Sequence, residues 1–492
     1  MLRKIRILLA TVFFAGLSLL FLDFTGTLHH WLSWMAKTQA LEAVLALNVV
    51  VIGLLAVLTL TLGRIYCSVI CPLGVLQDVF GWLGKRHKKN RYSYSAGLPW
   101  LRYSMLAIFL VAMAAGIGSV VQLLAPYSAF GRIMAMIFQP LWKVGNNILA
   151  SFAETMDSYA FYSVDVWMKS MPVLIIAVLT LVLLFVLAWR GGRTYCNTIC
   201  PVGTVLSLLA RLSWLKIRFD AEKCRNCSAC SKNCKAACID YKTHTVDYSR
   251  CVVCGDCLES CKFGALSYSN SWQKAETSQT AATDVGKRSF LLATAMATTA
   301  AMAQKKDKLV DGGLATIEKK VAPERQTPLT PPGSLSAKNM QTRCTGCQLC
   351  VSECPNQVLR PSTDLLHLMQ PVMSYERGYC RPECTRCSQV CPAGAIKPID
   401  DIEKSSIQIG HAVFIQKNCV AVTDGVECGN CARHCPVGAI EMVPLDADDD
   451  LSPSVPAINE SRCIGCGACE YVCPSRPFSA ICVEGHEVHK ML

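Results

Sequence analysis

Four stretches of the chain are apolar with little interruption: Ile5 to Leu22, Leu41 to Leu62, Leu101 to Leu124 and Val173 to Trp189. Each approaches the ~20 residues a helix needs to cross a bilayer, so the pattern predicts four transmembrane helices. The first follows Leu2-Arg3-Lys4 like a signal sequence, but no small-residue cleavage site comes after it, and it reads as an anchor. Basic residues set the direction. Arg64, Lys85, Arg86, Lys88, Lys89 and Arg91 crowd the connection after the second span, whereas Asp23 to Ala40 holds only Lys37. In the connection from Ala125 to Pro172, Arg132, Lys143 and Lys169 are interspersed with Glu154, Asp157 and Asp165. By the positive-inside rule the N-terminus and the segments after spans two and four face the cytoplasm. The apolar stretch FGRIMAMIFQPLW, from Phe130, is expected to lie along the outer interface.

Composition sharpens this picture. Of 492 residues, 52% are hydrophobic and only 17% charged, low for a soluble protein. The net charge of +12 belongs largely to residues flanking apolar segments, which argues for membrane orientation and against nucleic acid. Thirty cysteines fall in tight groups, a spacing that metal ligation requires and disulfides do not. There is no G-x-G-x-x-G after a strand, no P-loop and no nucleophile elbow.

One motif occurs twice. GRIYCSVICPLG (63–74) and GRTYCNTICPVG (192–203) share eight of twelve residues, each at the cytoplasmic mouth of a predicted span. Cys67 and Cys71, like Cys196 and Cys200, are four apart and are expected to share one helix face, with Pro72 and Pro201 interrupting the helix. If the two halves pack pseudo-symmetrically, the four thiols converge. They then suit a further cluster, a soft metal or a dithiol couple, with the cluster favoured over redox-silent cysteines.

The remaining cysteines form ferredoxin runs. Cys224, Cys227, Cys230 and Cys234, then Cys251, Cys254, Cys257 and Cys261, have C-x2-C-x2-C-x3-C spacing. In such pairs the fourth cysteine ligates the other cluster, so Cys261 goes with the first trio and Cys234 with the second, Cys238 being a competitor for that place. Four more runs follow: Cys344, Cys347, Cys350, Cys354; Cys380, Cys384, Cys387, Cys391; Cys419, Cys428, Cys431, Cys435; and Cys463, Cys466, Cys469, Cys473. Here the outer runs are expected to exchange fourth ligands (Cys473 to the first trio, Cys354 to the last), as are the inner runs (Cys435 to Cys380, Cys384 and Cys387; Cys391 to Cys419, Cys428 and Cys431). Six [4Fe–4S] clusters follow, with a seventh metal centre at the membrane as a further expectation; zinc fits two complete ferredoxin runs poorly. His29 and His30, beside Asp23, either line a quinone pocket or simply anchor the interface, the second being the commoner role of such a pair.

The fold expected is therefore an α-helical membrane bundle (1–219), an α+β two-cluster ferredoxin domain (220–270), a linker (271–337) with a short Ala/Thr-rich apolar segment at 289–303, and a four-cluster ferredoxin domain (338–492). Residues 1–268 resemble the NapH-type membrane ferredoxins, related through the paired CxxxCP motifs to the NosR type. Residues 286–490, with GKRSFLL, TPPGSL and four runs of which the third is C-x8-C-x2-C-x3-C, resemble the MauM/NapG-type ferredoxins. In that family a twin-arginine export signal occupies the place of Lys287-Arg288. The resemblance implies an electron-transfer subunit, not a stand-alone enzyme, in a bacterial inner membrane. It would oxidise quinol from the membrane pool and feed a partner enzyme or cytochrome, with the C-terminal domain periplasmic. The rival class is a redox-sensing or metal-maturation protein of the NosR-like kind.

Overall fold

The computed structural model describes residues 2–86, 92–158, 160–270, 318–446 and 452–492, with Asp448 and two short strands at Val310–Asp311 and Ala315–Thr316. The apolar segment 289–303 and the Lys287-Arg288 pair lie outside these residues.

The N-terminal part is helical: α1 (Leu2–Leu22), α2 (His29–Lys37), α3 (Ala40–Leu45), α4 (Val49–Leu62), α5 (Tyr66–Val69), α6 (Pro72–Arg86), α7 (Pro99–Ala114), α8 (Gly118–Leu124), α9 (Pro126–Ile133), α10 (Gln139–Glu154), α11 (Met171–Gly191), α12 (Thr194–Thr198) and α13 (Pro201–Ala210). Among the described residues, α1 and α11, 21 residues each, are long and apolar enough to cross a membrane by themselves. The other two expected spans are broken. Leu47 takes a left-handed φ of 54° and Asn48 caps α4 by accepting the Val51 amide, so the second span divides into α3 and α4. Gly116, at φ 71°, separates α7 from α8 in the same way.

The chain then turns by 79° into α9, a π-helical turn (Met134–Phe138) and α10. Every residue from Pro126 to Ile133 is buried, so the start of the FGRIMAMIFQPLW stretch lies inside the bundle and not along its outer surface. The cause is aromatic packing: Phe130 meets Phe14 and Phe21 edge-on, and Tyr127 lies against Phe21. From Phe138 onward large apolar side chains, Phe138, Leu141 and Trp142, face outward.

The two halves of the bundle interlock. The helix after the first motif, α6, packs on the long helix before the second, α11, while α13 packs on α4. Asp78 of α6 binds three cations at this junction: Arg193 Nε at 2.7 Å, Arg6 Nη1 at 3.0 Å and Lys235 Nζ at 3.0 Å. Burial by itself would raise the Asp78 carboxyl, but Arg193, Lys235 and Arg6 hold it far below the usual carboxylate range.

Two α+β units sit at opposite ends of α1, which is about 30 Å long at 1.5 Å per residue. The first closes with Leu215–Phe219 antiparallel to Leu266–Asn270. It meets the start of α1, where Arg3 Nε binds Asp256 at 3.0 Å. The second is built on Ile407–Phe414 antiparallel to Ile481–Met491. It meets the far end, where Gln139 Nε2 bridges the Phe21 and Ser352 carbonyls. Residues 318–336, expected as linker, belong to this second unit. Arg325 pairs with buried Glu470 at 2.7 Å, and Leu329 and Ser334 are buried.

Asp78→Asn strips three partly or fully buried cations of their carboxylate, so it is expected to destabilise the protein by about 3–5 kcal/mol. Thermal unfolding in detergent measures this. Because the carboxyl is held low, the wild-type contribution is present above the ordinary Asp pKa and is lost only as pH falls far below it.

Candidate metal centres

Four of the ferredoxin runs share a backbone device. In each, the residue before the second cysteine and the residue after it are left-handed: Asn226 and Ser228, Val253 and Gly255, Gly346 and Gln348, Gly465 and Gly467, with φ between 50° and 77°. Such a twist turns successive amides into one concavity, a nest suited to the sulfurs of an anionic cluster. The Asn226 amide donates to Cys224 Sγ at 3.4 Å and the Gly346 amide to Cys344 Sγ at 3.4 Å. Beyond the fourth cysteines, Ala265, Ala439 and Ala480 amides donate to Cys261, Cys435 and Cys473 at 3.2–3.3 Å. The runs with wide first gaps, from Cys380 and Cys419, lack this paired twist: Thr385 has φ −112°.

The cysteines gather in fours around cavities. Cys224, Cys227, Cys230 and Cys261 line one. Cys344, Cys347, Cys350 and Cys391 line another. Cys354 with Cys380, Cys384 and Cys387 line a third, and Cys419, Cys428, Cys431 and Cys473 a fourth. The same four-thiol lining in each argues for the same occupant. Cys234 lies within electrostatic reach of Cys251, Cys254 and Cys257, and Cys435 of Cys463, Cys466 and Cys469. Cys238 is buried beside Cys234, sulfur to sulfur 3.5 Å, and beside Cys251. Among the described residues no three His, Cys, Asp or Glu side chains are set to hold a single metal ion.

In the second unit the structure places the cysteines in a grouping other than the expected one: Cys391 lies with the first trio, Cys354 with the second, Cys473 with the third and Cys435 near the fourth. Consecutive runs exchange fourth cysteines because each short helix packs on that of its chain neighbour: Leu349–Glu353 on Arg386–Val390, and Asn430–Arg433 on Ala468–Val472. Long-range nesting of outer and inner runs would have separated those helices.

The twin motifs also meet. Cys67, Cys71, Cys196 and Cys200 are buried in one core and lie within electrostatic reach of one another. Each pair straddles a helix break and does not share one helix: Cys67 lies in α5 and Cys71 before α6; Cys196 lies in α12 and Cys200 caps α13 through Gly203 N at 3.3 Å. The prolines thus open the following helices, where a missing N–H costs nothing.

The arginines cross over. Arg64 donates to the Cys196 carbonyl at 3.3 Å, and Arg193 to the Cys67 carbonyl. A Cβ on Gly74 would sit 2.2 Å from the Cys67 carbonyl oxygen, and one on Gly203 would sit 2.4 Å from that of Cys196, so both motif glycines are required by close approach. Gln77 Nε2 lies 3.2 Å from Cys196 Sγ. Burial pushes the Cys71, Cys196 and Cys200 thiols up, so thiolates here need a cation. Arg64 is fully buried, and among the described residues its hydrogen bonds reach Asn197 Oδ1, the Ser249 and Cys196 carbonyls and Cys67 Sγ, with no carboxylate. A buried guanidinium so placed fits an anionic neighbour, which a thiolate-bound cluster supplies.

The His29 and His30 rings lie tilted with centroids 4.0 Å apart, and His29 Nε2 meets Gln389 Oε1 at 3.1 Å, which makes the pair part of the contact with the second unit. Sequence reasoning passed over Gln77 and Asp78 and noted Tyr66 only as part of the repeated motif. Their signal lay in the motif surroundings, but nothing in their spacing revealed their partners.

Comparison with known proteins returns iron–sulfur families and ferredoxin-type relatives. A 4Fe-4S binding domain family matches residues 44–91 and again 171–221, once for each CxxxCP motif. Two 4Fe-4S dicluster domain families match 247–358 and 426–476. The putative electron transport protein YccM of Escherichia coli is 26% identical over 238 residues, 47% of this chain and 57% of YccM. The ferredoxin-type protein NapH of the same organism is 26% identical over 224 residues, 44% of this chain and 65% of NapH. The methylamine utilization ferredoxin-type protein MauM of Methylobacillus flagellatus is 32% identical over 167 residues, 33% of this chain and 70% of MauM. The chain thus spans less than two thirds of YccM and of NapH. No solved structure matches it.

Gly467→Ala tests the nest geometry. Its Cβ would fall 2.2–2.3 Å from the Tyr375 ring at a φ of 77°, so the loop between Cys466 and Cys469 must open. Purified protein should lose about four irons per chain, read by iron analysis against wild type.

Proposed function

The chain belongs to the NapH/MauM group of ferredoxin-type proteins, and from that premise we propose that it passes electrons between the membrane quinol pool and a partner reductase or cytochrome. Iron–sulfur electron transport is common ground with its relatives; the quinol, the partner and a count of six [4Fe–4S] clusters are our reading. Twenty-four cysteines in six sets of four support that count, two sets in the first unit and four in the second. The quartet Cys67, Cys71, Cys196 and Cys200 is assigned a seventh centre.

One observation carries the topology: the two units sit at opposite ends of α1. With the N-terminus cytoplasmic, the first unit faces the cytoplasm and the second the periplasm. The broken helices α3–α4 and α7–α8 complete four passes. The protein's contribution is position and potential, through amide donors to the cluster sulfurs and through burial.

The NosR-like sensing or maturation role is favoured by one feature only, the buried thiol quartet. A quinol analogue separates the two readings. Electron transfer requires that it reduce the clusters of the purified protein, whereas a sensor leaves them oxidised.

Anaerobically purified protein should carry about 24 irons per chain, or about 28 with the quartet filled. Stoichiometric zinc, or less than about half the lower figure after reconstitution, would overturn the assignment. For topology, a protease site inserted at Leu365, which is 79% exposed, should be cut in intact spheroplasts. Protection until the membrane is broken would place the second unit in the cytoplasm.

A further inference from the structure

Hydrogen bonds and close packing link the thiol quartet to the cysteine loops of both units. From the first unit, Arg64 Nη1 takes the Ser249 carbonyl at 2.8 Å, two residues before Cys251, while its Nη2 lies 3.8 Å from Cys67 Sγ. On the same face the Arg193 amide donates to the Lys235 carbonyl at 2.8 Å, beside Cys234. One guanidinium therefore joins the loop of the Cys251 set to the thiol quartet.

From the quartet toward the other end, the motif tyrosines reach out in parallel. The Tyr66 hydroxyl accepts from the Ala40 amide at 3.0 Å and donates to Gln39 at 3.1 Å. Buried Glu42, on the same helix as Ala40, lies near Thr345, the neighbour of Cys344. The Tyr195 hydroxyl donates to the Leu124 carbonyl at 3.1 Å, and Gln122 Nε2 reaches the Cys344 carbonyl at 3.4 Å. Between these two routes α9 seats the loop directly. Ser128 Oγ donates to the Gly346 carbonyl at 3.2 Å, and Gly131 is so close that a Cβ would lie 2.0 Å from the Cys347 carbonyl oxygen. Farther on, the Cys380 amide donates to the Cys466 carbonyl at 3.0 Å, which links the two halves of the second unit.

We infer that the thiol quartet, through the seventh metal centre it would hold on the reading above, is the middle relay of one continuous electron path, from the first ferredoxin unit through the bundle to the second, so that the protein moves single electrons across the membrane without a quinone. A one-electron iron–sulfur or flavin carrier at the first unit is oxidised by one electron, and a one-electron acceptor at the second is reduced by one. No bond is made or broken in the chain, and one negative charge crosses. This goes beyond quinol oxidation, which needs only one side of the bundle. It explains why an inserted helix, α9, is buried under the Cys344 loop when a surface connection would have sufficed to join α8 to α10.

The experiment uses the full holoprotein in sealed, quinone-free phosphatidylcholine liposomes, with ferricyanide trapped inside and dithionite outside. Each dithionite yields two electrons as it becomes two bisulfite ions, and each ferricyanide takes one. Either orientation of the protein serves. The expected results are bleaching of the lumenal ferricyanide and a dye-detected potential, negative inside. In the double variant Cys67→Ser/Cys200→Ser both signals should be lost. Its six ferredoxin clusters should still be present by iron analysis and fully reducible by dithionite after solubilisation. If that variant loses those clusters, Gly131→Leu, which keeps every cysteine, must give the same loss of bleaching. Bleaching by the variants at the wild-type rate overturns the path. So does wild-type bleaching that appears only when a quinone is added, which leaves the quinol reading standing. Conversely, quinone-free bleaching with no quinol-driven cluster reduction sinks the quinol reading and keeps the path.

Discussion

The structure turns on an exchange between two halves of the bundle. Arg64 from the first motif binds the carbonyl of Cys196 in the second, and Arg193 from the second binds that of Cys67 in the first. Both guanidiniums are buried, so each half is unsatisfied without the other. The exchange brings the four thiols together, requires glycine at 74 and 203, and fixes α6 against α11. Asp78 extends the same junction to α1 through Arg6 and to the first ferredoxin unit through Lys235, so membrane helices and cluster-bearing loops are registered by one carboxylate.

Each ferredoxin unit is held to the bundle by polar contacts that run to its cysteine loops. On one side the loop carbonyls of Ser249, Lys235 and Ala236 are taken by Arg64, the Arg193 amide and Asn197. On the other, the carbonyls of Cys344, Gly346 and Ser352 are taken by Gln122, Ser128 and Gln139. Docking contacts and ligand loops being the same segments, the spacing between centres is fixed by hydrogen bonds to main chain. A main-chain acceptor does not depend on the loop's side chains, which leaves those free to vary.

Within the units, local rules dominate. The paired left-handed residues around the second cysteine recur whatever the side chain: Asn and Ser, Val and Gly, Gly and Gln, Gly and Gly. A Val at φ 50° in one run is a strained position for a β-branched residue, tolerated where the loop's amides have an anion to face.

Sequence alone determined the cysteine sets, the doubling of the CxxxCP motif, the two long spans and the α+β units, because spacing and periodicity are local properties that survive any packing. It misjudged what depends on packing. The continuity of two spans failed at Leu47 and Gly116, single backbone torsions with no hydropathy signature. The burial of α9 was hidden because an apolar stretch looks alike on a membrane surface and in a core. The partnering of Cys391 with the first trio and Cys473 with the third was decided by which short helices pack together. Spacing names four ligands per run but cannot say which neighbour receives the fourth. The stacking of the two units at opposite ends of α1 was likewise a tertiary outcome, since it rests on Arg3, Gln139 and Ser128 meeting partners more than a hundred residues away.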